Sequence, residues 1–179
     1  MSIHQHGLES GHVQVYTGEG KGKTTAALGL VLRAAGAGLS VFMAHFAKGS
    51  PTSEHVALER LGDLVTWRHY GTGRLIRGKP GAEDLAAARR GLEEVREALG
   101  SGCYQVVVLD EANVATRLGL FPVEALLELI DARPEGVELI ITGRGADPRV
   151  MERADLVTEM RQVKHYFAQG IRARRGIEE

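Results

Sequence analysis

The sequence predicts an α/β fold, with a mostly parallel central sheet of about six strands and helices on both faces. Three observations support this prediction. Short apolar runs alternate along the chain with segments of helical periodicity. A glycine-rich turn joins the first of these runs to the first helical segment. The run at 104–109, YQVVVL, is apolar almost throughout, which is typical of a strand covered on both faces.

The predicted elements follow one another as strand, turn and helix. The first strand contains Val13 and Val15, and the helix after it covers 24–37, where Gly36 and Gly38 end it. Further strands are predicted at 40–47, 65–69, 104–109, 137–142 and 156–160. Further helices are predicted at 52–61, 82–99, 123–132 and 147–154. This order favours parallel strands that are joined by helical crossovers.

Three segments are predicted to lie outside the regular elements. Residues 70–81, YGTGRLIRGKPG, combine glycines, a proline and cations, and a loop of this length in a compact domain is often functional. Residues 162–179 are basic and poorly periodic, which predicts an irregular C-terminal extension, and residues 1–11 are expected to be a flexible tail. Together with these segments, residues 1–179 are predicted to form a single domain.

Composition and charge exclude several classes of protein. The formal net charge of −1 gives no overall field that would draw the chain to nucleic acid or to an anionic membrane. The one cysteine, Cys103, excludes a framework of internal disulfides and is typical of a reducing compartment. No run reaches the ~18 apolar residues of a membrane span, and the first residues lack the apolar core of a signal peptide. These features predict a cytoplasmic location.

Residues 18–25, GEGKGKTT, have the composition of a phosphate-binding loop between a strand and a helix. The glycines allow successive N–H groups to surround an anion, and the helix that begins near Lys23 adds its unpaired amides. The loop is one residue tighter than the common motif, because Thr17 stands where that motif has glycine. A glycine- and lysine-rich surface turn is the alternative. The residues predicted to bind the nucleotide are Gly18, Glu19, Gly20, Lys21, Gly22, Lys23, Thr24 and Thr25.

Acidic residues follow the most apolar run of the chain, at the point where the predicted strand ends. Asp110 and Glu111 can hold Mg²⁺ directly or through water if this strand end lies near the phosphate loop. Together with the hydroxyl of Thr24 they form the predicted metal site. A helix-capping aspartate and a surface glutamate are the alternative.

Cations follow two other predicted strands. Ligands of open α/β sheets bind outside the carboxyl ends of the strands, so Lys48 and Arg144 are predicted to contact the triphosphate. Each could equally be a solvated surface charge. His45 is expected to alternate into the core side of its strand.

Six segments carry a resemblance to a known family, and the match spans nearly the whole chain from residue 12, in order and without a large insertion. They are GEGKGKTTAA (18–27), FAKG (46–49), LDEAN (109–113), ARPEG (132–136), TGRG (142–145) and ADLVTEMRQVKHYFAQGIRARRGIE (154–178). Together they resemble the P-loop type of ATP:corrinoid adenosyltransferases, which act on cob(I)alamin or cob(I)yrinic acid a,c-diamide. The resemblance implies a RecA-like P-loop fold, ATP and Mg²⁺, a homodimer, and a reductase or flavoprotein that supplies Co(I).

The reaction implied by this resemblance is the transfer of the 5′-deoxyadenosyl group of ATP to Co(I) of a corrinoid, in adenosylcobalamin biosynthesis or salvage. The intact triphosphate leaves, so Lys23 and Glu111 would act by stabilising its charge. The family's well-studied bacterial members carry aromatic residues in the loop after the third strand, whereas this loop has none after Tyr70. Leu75 and Ile76 are therefore predicted to contact the corrinoid in their place, with packing on their own domain as the alternative.

Two other functions stay open from the residues alone. An ATPase or phosphotransferase of RecA-like architecture would release ADP and phosphate rather than triphosphate. A non-catalytic carrier of nucleotide or corrinoid would bind without turnover, although Lys23, Thr24 and the acid pair at 110–111 argue against it.

Overall fold

The computed structural model describes residues 8–47, 53–74, 76 and 78–178, and its centre is a six-stranded parallel sheet. The strands are β1 (Val13–Thr17), β2 (Val41–His45), β3 (Val65–His69), β4 (Val106–Asp110), β5 (Glu138–Thr142) and β6 (Leu156–Glu159). The helices are α1 (Lys23–Gly36), α2 (Ser53–Glu59), α3 (Ala82–Gly100), α4 (Ala112–Arg117), α5 (Val123–Asp131) and α6 (Pro148–Arg153). Two short 3₁₀ turns lie at Gly62–Leu64 and Tyr166–Gln169.

The strand order across the sheet is β3-β2-β4-β5-β1-β6, and every neighbouring pair is parallel. The predicted α/β class and the six parallel strands are thus confirmed. Because β5 lies between β1 and β4, the strand that precedes the glycine loop and the strand that ends in Asp110 are not direct neighbours.

Apolar side chains alternate between the two faces of the sheet and form one core on each side. In β2, Val41 and Met43 pack against α1, whereas Phe42 and Ala44 pack against the layer that contains α3 and α5. All five residues of β4 are buried, as expected for a central strand. Helices therefore cover both faces, and none of the described helices is long and apolar enough to cross a bilayer.

Helix α4 was not predicted. Its sequence, ANVATR, contains asparagine, threonine and valine, which are poor helix formers, and it is only six residues long. Ala112, Asn113 and Ala115 are nevertheless buried in this helix. Tertiary packing against β5 therefore stabilises a turn of helix that local preference does not favour.

Two adjacent strands leave the sheet through left-handed residues at its carboxyl edge. After β2, Ala47 has φ of 60°, and after β4, Glu111 has φ of 59°. Both residues carry a Cβ, and this conformation costs about 1–2 kcal/mol for each of them. Backbone strain of this kind is found where a structure serves a binding site, and both residues lie at the edge where ligands of parallel sheets bind.

Candidate nucleotide-binding site

The glycine loop lies tightly against the end of β6. Gly18 and Gly22 have φ of 94° and 123°, which other residues avoid. The N–H of Gly20 donates to the carbonyl of Met160 at 2.6 Å, and a Cβ on Gly20 would lie 2.7 Å from that same oxygen. Gly20 is therefore required for close packing. Its amide is bound to Met160 in this structure, so it does not join the concavity of anion-binding amides that the sequence predicts.

Lys23 is held inside the loop by backbone carbonyls. Its Nζ donates to the carbonyl oxygens of Gly18 at 2.6 Å and Gly20 at 2.7 Å, and the residue is only 6% exposed. Burial lowers the pKa of the ammonium group, and the nearby Glu111 carboxylate partly opposes that shift. The two carbonyls thus hold the Nζ of Lys23 in a fixed position beside the loop.

Asp110 is fully buried at the end of β4 and bound by two hydroxyl groups. The hydroxyl of Thr142 donates to Oδ1 at 2.6 Å, and the hydroxyl of Thr24 donates to Oδ2 at 3.2 Å. Thr24 and Asp110, predicted as metal ligands from separate parts of the chain, are therefore adjacent. The carboxylate reaches Thr24 although β5 separates its strand from β1.

His45 adds an unpredicted neighbour to this carboxylate. Its Nδ1 lies 2.9 Å from Oδ2 of Asp110, but the geometry is not that of an aligned hydrogen bond. The residue is 1% exposed, in agreement with the expected core-facing position. Its ring stacks on His69 with centroids 5.9 Å apart and meets His55 edge to face at 5.6 Å.

Glu111 lies at the start of α4 and lines the cleft next to the glycine loop. Its backbone N–H donates to the hydroxyl of Thr142 at 3.0 Å. The predicted site residues Lys23, Thr24, Asp110 and Glu111 are thus brought together by contacts within one small region.

The cleft has a volume of about 550 Å³, enough for a nucleotide. Its walls come from the glycine loop, the first turns of α1 and α2, the end of β4 and the C-terminal segment. The predicted residues that line it are Gly20, Lys21, Gly22, Lys23, Thr24, Thr25, Glu111 and Arg144. The other lining residues are Leu28, Ser53, Glu54, His165, Gly176, Ile177 and Glu178.

The remaining predicted residues have different positions. Glu19 forms an ion pair with Arg144 at 3.4 Å, and both side chains are more than half exposed. Ile76 is half-buried, packs against the core beside Tyr70 and does not line the cleft. Lys48 and Leu75 lie outside the described residues.

The C-terminal segment was predicted to be irregular, but its position beside the glycine loop was not predicted. Lys21 donates to the carbonyl of Ile177 at 3.2 Å and lies 3.7 Å from Glu178. Glu178 in turn accepts from Tyr166 and from Arg174, and these two donors lower its pKa to about 2. No local signal in the sequence indicates this contact with the glycine loop, because the pair of Arg174 and Glu178 joins only residues within the C-terminal segment.

The donor set fits Mg²⁺ rather than a metal caged by the protein alone. The hydroxyl of Thr24 and the carboxylates of Asp110 and Glu111 are hard oxygen ligands. In the described part of the chain, no group of three or more His, Cys, Asp or Glu residues could hold a metal ion. Magnesium commonly binds to one or two carboxylates together with substrate phosphates and water.

Comparisons with known proteins find a matching family and relatives of similar sequence. The family described as ATP:corrinoid adenosyltransferase BtuR/CobO/CobP matches residues 9–178. A corrinoid adenosyltransferase of Pseudomonas aeruginosa is 37% identical over 171 residues, which are 95% of this chain and 84% of that protein. One from Escherichia coli K12 is also 37% identical, over 95% of this chain and 86% of its own.

A solved structure shares the fold at low sequence identity. A KaiC-like protein from Pyrococcus horikoshii superposes with a TM-score of 0.58 and 19% identity, over 88% of this chain and 76% of that one. At this level of identity the likeness agrees with the predicted fold and carries no information on the substrate.

Proposed function

We propose that the cleft beside the glycine loop holds the triphosphate of ATP, because the chain belongs to the ATP:corrinoid adenosyltransferase family. The protein is a transferase that moves the 5′-deoxyadenosyl group of ATP to Co(I) of a reduced corrinoid, in the formation of adenosylcobalamin. The observation that carries the assignment of the cleft is the adjacency of Lys23, Thr24 and Asp110, because a triphosphate site needs all three kinds of group.

In this reaction the protein has to stabilise the negative charge that develops on the leaving group. Co(I) of the substrate attacks C5′ of ATP, the C5′–O bond breaks, and its electron pair passes to the oxygen of the departing triphosphate. The ammonium of Lys23, already held at the loop, lies where it can offset that charge without reorganisation. The nucleophile is the cobalt of the substrate, so no nucleophilic side chain is needed.

Thr24, Asp110 and Glu111 would hold the magnesium ion that accompanies the triphosphate. Bound there, Mg²⁺ would neutralise part of the charge on the leaving group. The contact of Thr24 with Asp110 supports this assignment, because the hydroxyl and carboxylate are already within 3.2 Å of one another.

Arg144 is proposed as a second cation at the triphosphate, exchanging its partner Glu19 for phosphate oxygens. We expect Arg144→Gln to raise the KM for ATP about fivefold with a smaller change in kcat, because an exposed charge contributes about 1 kcal/mol. Steady-state kinetics with varied ATP measures the effect. Arg96→Gln is the matched control, since Arg96 is equally exposed and pairs with Glu128 at 3.3 Å on a helix outside the cleft. An unchanged KM in Arg144→Gln would mean that Arg144 is a solvated surface charge that does not contact the triphosphate.

Leu75 and Ile76 are proposed to contact the corrinoid from the loop after β3. The partly exposed side of Ile76 and the position of its loop after a strand end support this placement. Replacing both by serine should raise the corrinoid KM about tenfold and leave ATP affinity unchanged, because burying one aliphatic side chain contributes about 1.5–3 kcal/mol. Leu32→Ser, at an exposed leucine of α1, is the control. If the double variant instead melts early or loses ATP affinity, the pair serves the core.

Product identification tests the function as a whole. The protein is mixed anaerobically with Mg-ATP and chemically reduced corrinoid, the Co–C product is followed by absorbance, and the phosphorus products are separated by ion chromatography. We expect one triphosphate for each adenosylcorrinoid formed. Release of ADP and phosphate would identify an ATPase or phosphotransferase, and binding without any product would identify a carrier.

The wider setting follows from the same premise. We propose a cytoplasmic, single-domain protein of residues 1–179 that acts as a homodimer and receives Co(I) from a reductase or flavoprotein. The exposed free thiol of Cys103 supports a reducing compartment, where such a cysteine stays reduced. Family membership supports the reductase, because corrinoid must reach the enzyme as Co(I).

A further inference from the structure

Thr142 joins the two acidic residues of the site through one hydroxyl group. The hydroxyl donates to Oδ1 of Asp110 at 2.6 Å and accepts from the backbone N–H of Glu111 at 3.0 Å. The residue is fully buried at the last position of β5. We propose that Thr142 is a positioning residue, which fixes the Asp110 carboxylate and the Glu111 backbone for binding of the magnesium–triphosphate group. This inference rests on the proposed role of the two acids.

The sheet order explains why a residue of β5 has this position. β5 lies between the strand that leads into the glycine loop and the strand that ends in Asp110. Thr142 is in register with Tyr16 on one side, and Ile141 before it is in register with Leu109 on the other. Its side chain lies beside the end of β4, where its hydroxyl reaches both Asp110 and Glu111.

The hydroxyl fits both contacts at once. A threonine hydroxyl has one proton to donate and two lone pairs to accept with, so donation to Asp110 leaves an acceptor free for the amide of Glu111. With Oδ1 held by Thr142, Oδ2 stays directed at the hydroxyl of Thr24. The second hydrogen bond satisfies the N–H of a residue in the left-handed conformation, which places the Glu111 side chain in the cleft.

Two substitutions of Thr142 can test the role of its hydroxyl group separately from the role of its methyl group. Valine has nearly the same shape as threonine but neither donates nor accepts, whereas serine keeps the hydroxyl and loses only the methyl group. A role in positioning predicts that serine preserves metal binding and valine weakens it. A role in packing predicts the reverse order.

The experiment compares Thr142→Val and Thr142→Ser with the unchanged protein. Manganese, as a paramagnetic substitute for magnesium, is titrated into the protein with ATP and followed by electron paramagnetic resonance, and ATP affinity is measured separately without metal. We expect Thr142→Val to weaken manganese binding about 10- to 100-fold, as is usual for partners of metal ligands, with metal-free ATP affinity unchanged. Thr142→Ser should stay within about threefold of the unchanged protein.

Thr66→Val is the matched control. Thr66 lies in β3 of the same sheet, and its hydroxyl accepts only from Tyr104 at 3.2 Å among the described contacts. This control should leave manganese binding unchanged. If Thr142→Val does not fold, Thr142→Cys replaces it, because a thiol is a weak donor and a weak acceptor.

Three results would overturn the inference: unchanged manganese affinity in the valine variant, an equal loss in the serine variant, or an equal loss of metal-free ATP affinity. Failure of the proposed function is recognised separately. If the unchanged protein releases ADP and phosphate, the adenosyl transfer is wrong, while the manganese titration still decides the role of Thr142.

Discussion

Lys23→Ala should lower kcat/KM for ATP by about 10²–10³-fold, the loss expected when a preorganised donor to developing charge is removed. Lys23 is 6% exposed and its ammonium group donates to the carbonyls of Gly18 and Gly20, so these contacts fix its position in the loop. Alanine removes the charge, and the two loop carbonyls lose their common donor. Calorimetric titration with ATP and anaerobic absorbance of the Co–C product measure binding and transfer.

The control for this prediction lies at the other end of the same helix. Arg33 is an exposed cation in the last turn of α1, so Arg33→Ala changes the net charge equally without touching the loop. We expect its kinetics to stay within about twofold of the unchanged protein, since surface charges contribute little. Near-normal turnover of Lys23→Ala at saturating ATP would contradict the phosphate role of the loop.

Asp110→Asn should remove most of the activity, by about 100-fold or more, and additional magnesium should not restore it. The side chain keeps its shape but loses the charge, and its new NH₂ group must face Thr24 or Thr142 in place of an acceptor oxygen. Leaving a buried partner unsatisfied costs about 1–3 kcal/mol, so chemical denaturation should also show lower stability. Kinetics over a magnesium series, with a denaturation curve for each variant, tests both effects.

Glu111→Gln should behave differently from Asp110→Asn. Glu111 is half-buried at the cleft, so the amide variant should keep its fold and recover activity as magnesium is raised. Asp131→Asn is the control, because Asp131 pairs only with the exposed Arg153 at 3.3 Å among the described ion pairs. If both site variants lose the same activity and magnesium does not restore it, the two acids have a structural role rather than a role in metal binding.

The fold was predictable because its signals are local. Runs such as VVVL at 106–109 identify buried strands by themselves, and the glycines and Lys23 identify the turn into α1. Helix α4 was not predictable in this way, because ANVATR has little helical preference and forms a helix only through burial of its alanines and Asn113. The strand order could not be predicted from sequence patterns either, since no local signal indicates that β5 lies between β1 and β4.

The part of the candidate site that could be predicted consists of residues whose type and position in the sequence indicate their chemistry. Lys23, Thr24, Asp110 and Glu111 were selected by type and by position at strand ends, and the structure places them together. The hydroxyl of Thr142 and the contact of His45 with Asp110 required knowledge of the sheet order and register. The C-terminal wall could not be predicted, because its contact with Lys21 joins residues 156 positions apart.

The strand order has a consequence for how the protein is made. β1 precedes the phosphate loop and is synthesised before the other strands, yet its two partners in the sheet are β5 and β6, the last strands to be synthesised. The amide of Val13, for example, binds the carboxylate of Asp155, 142 residues later. At about 5–20 residues per second, roughly 7–30 seconds of synthesis separate the two. We therefore expect shortened chains that end before β6 to fold poorly and to leave ATP unbound.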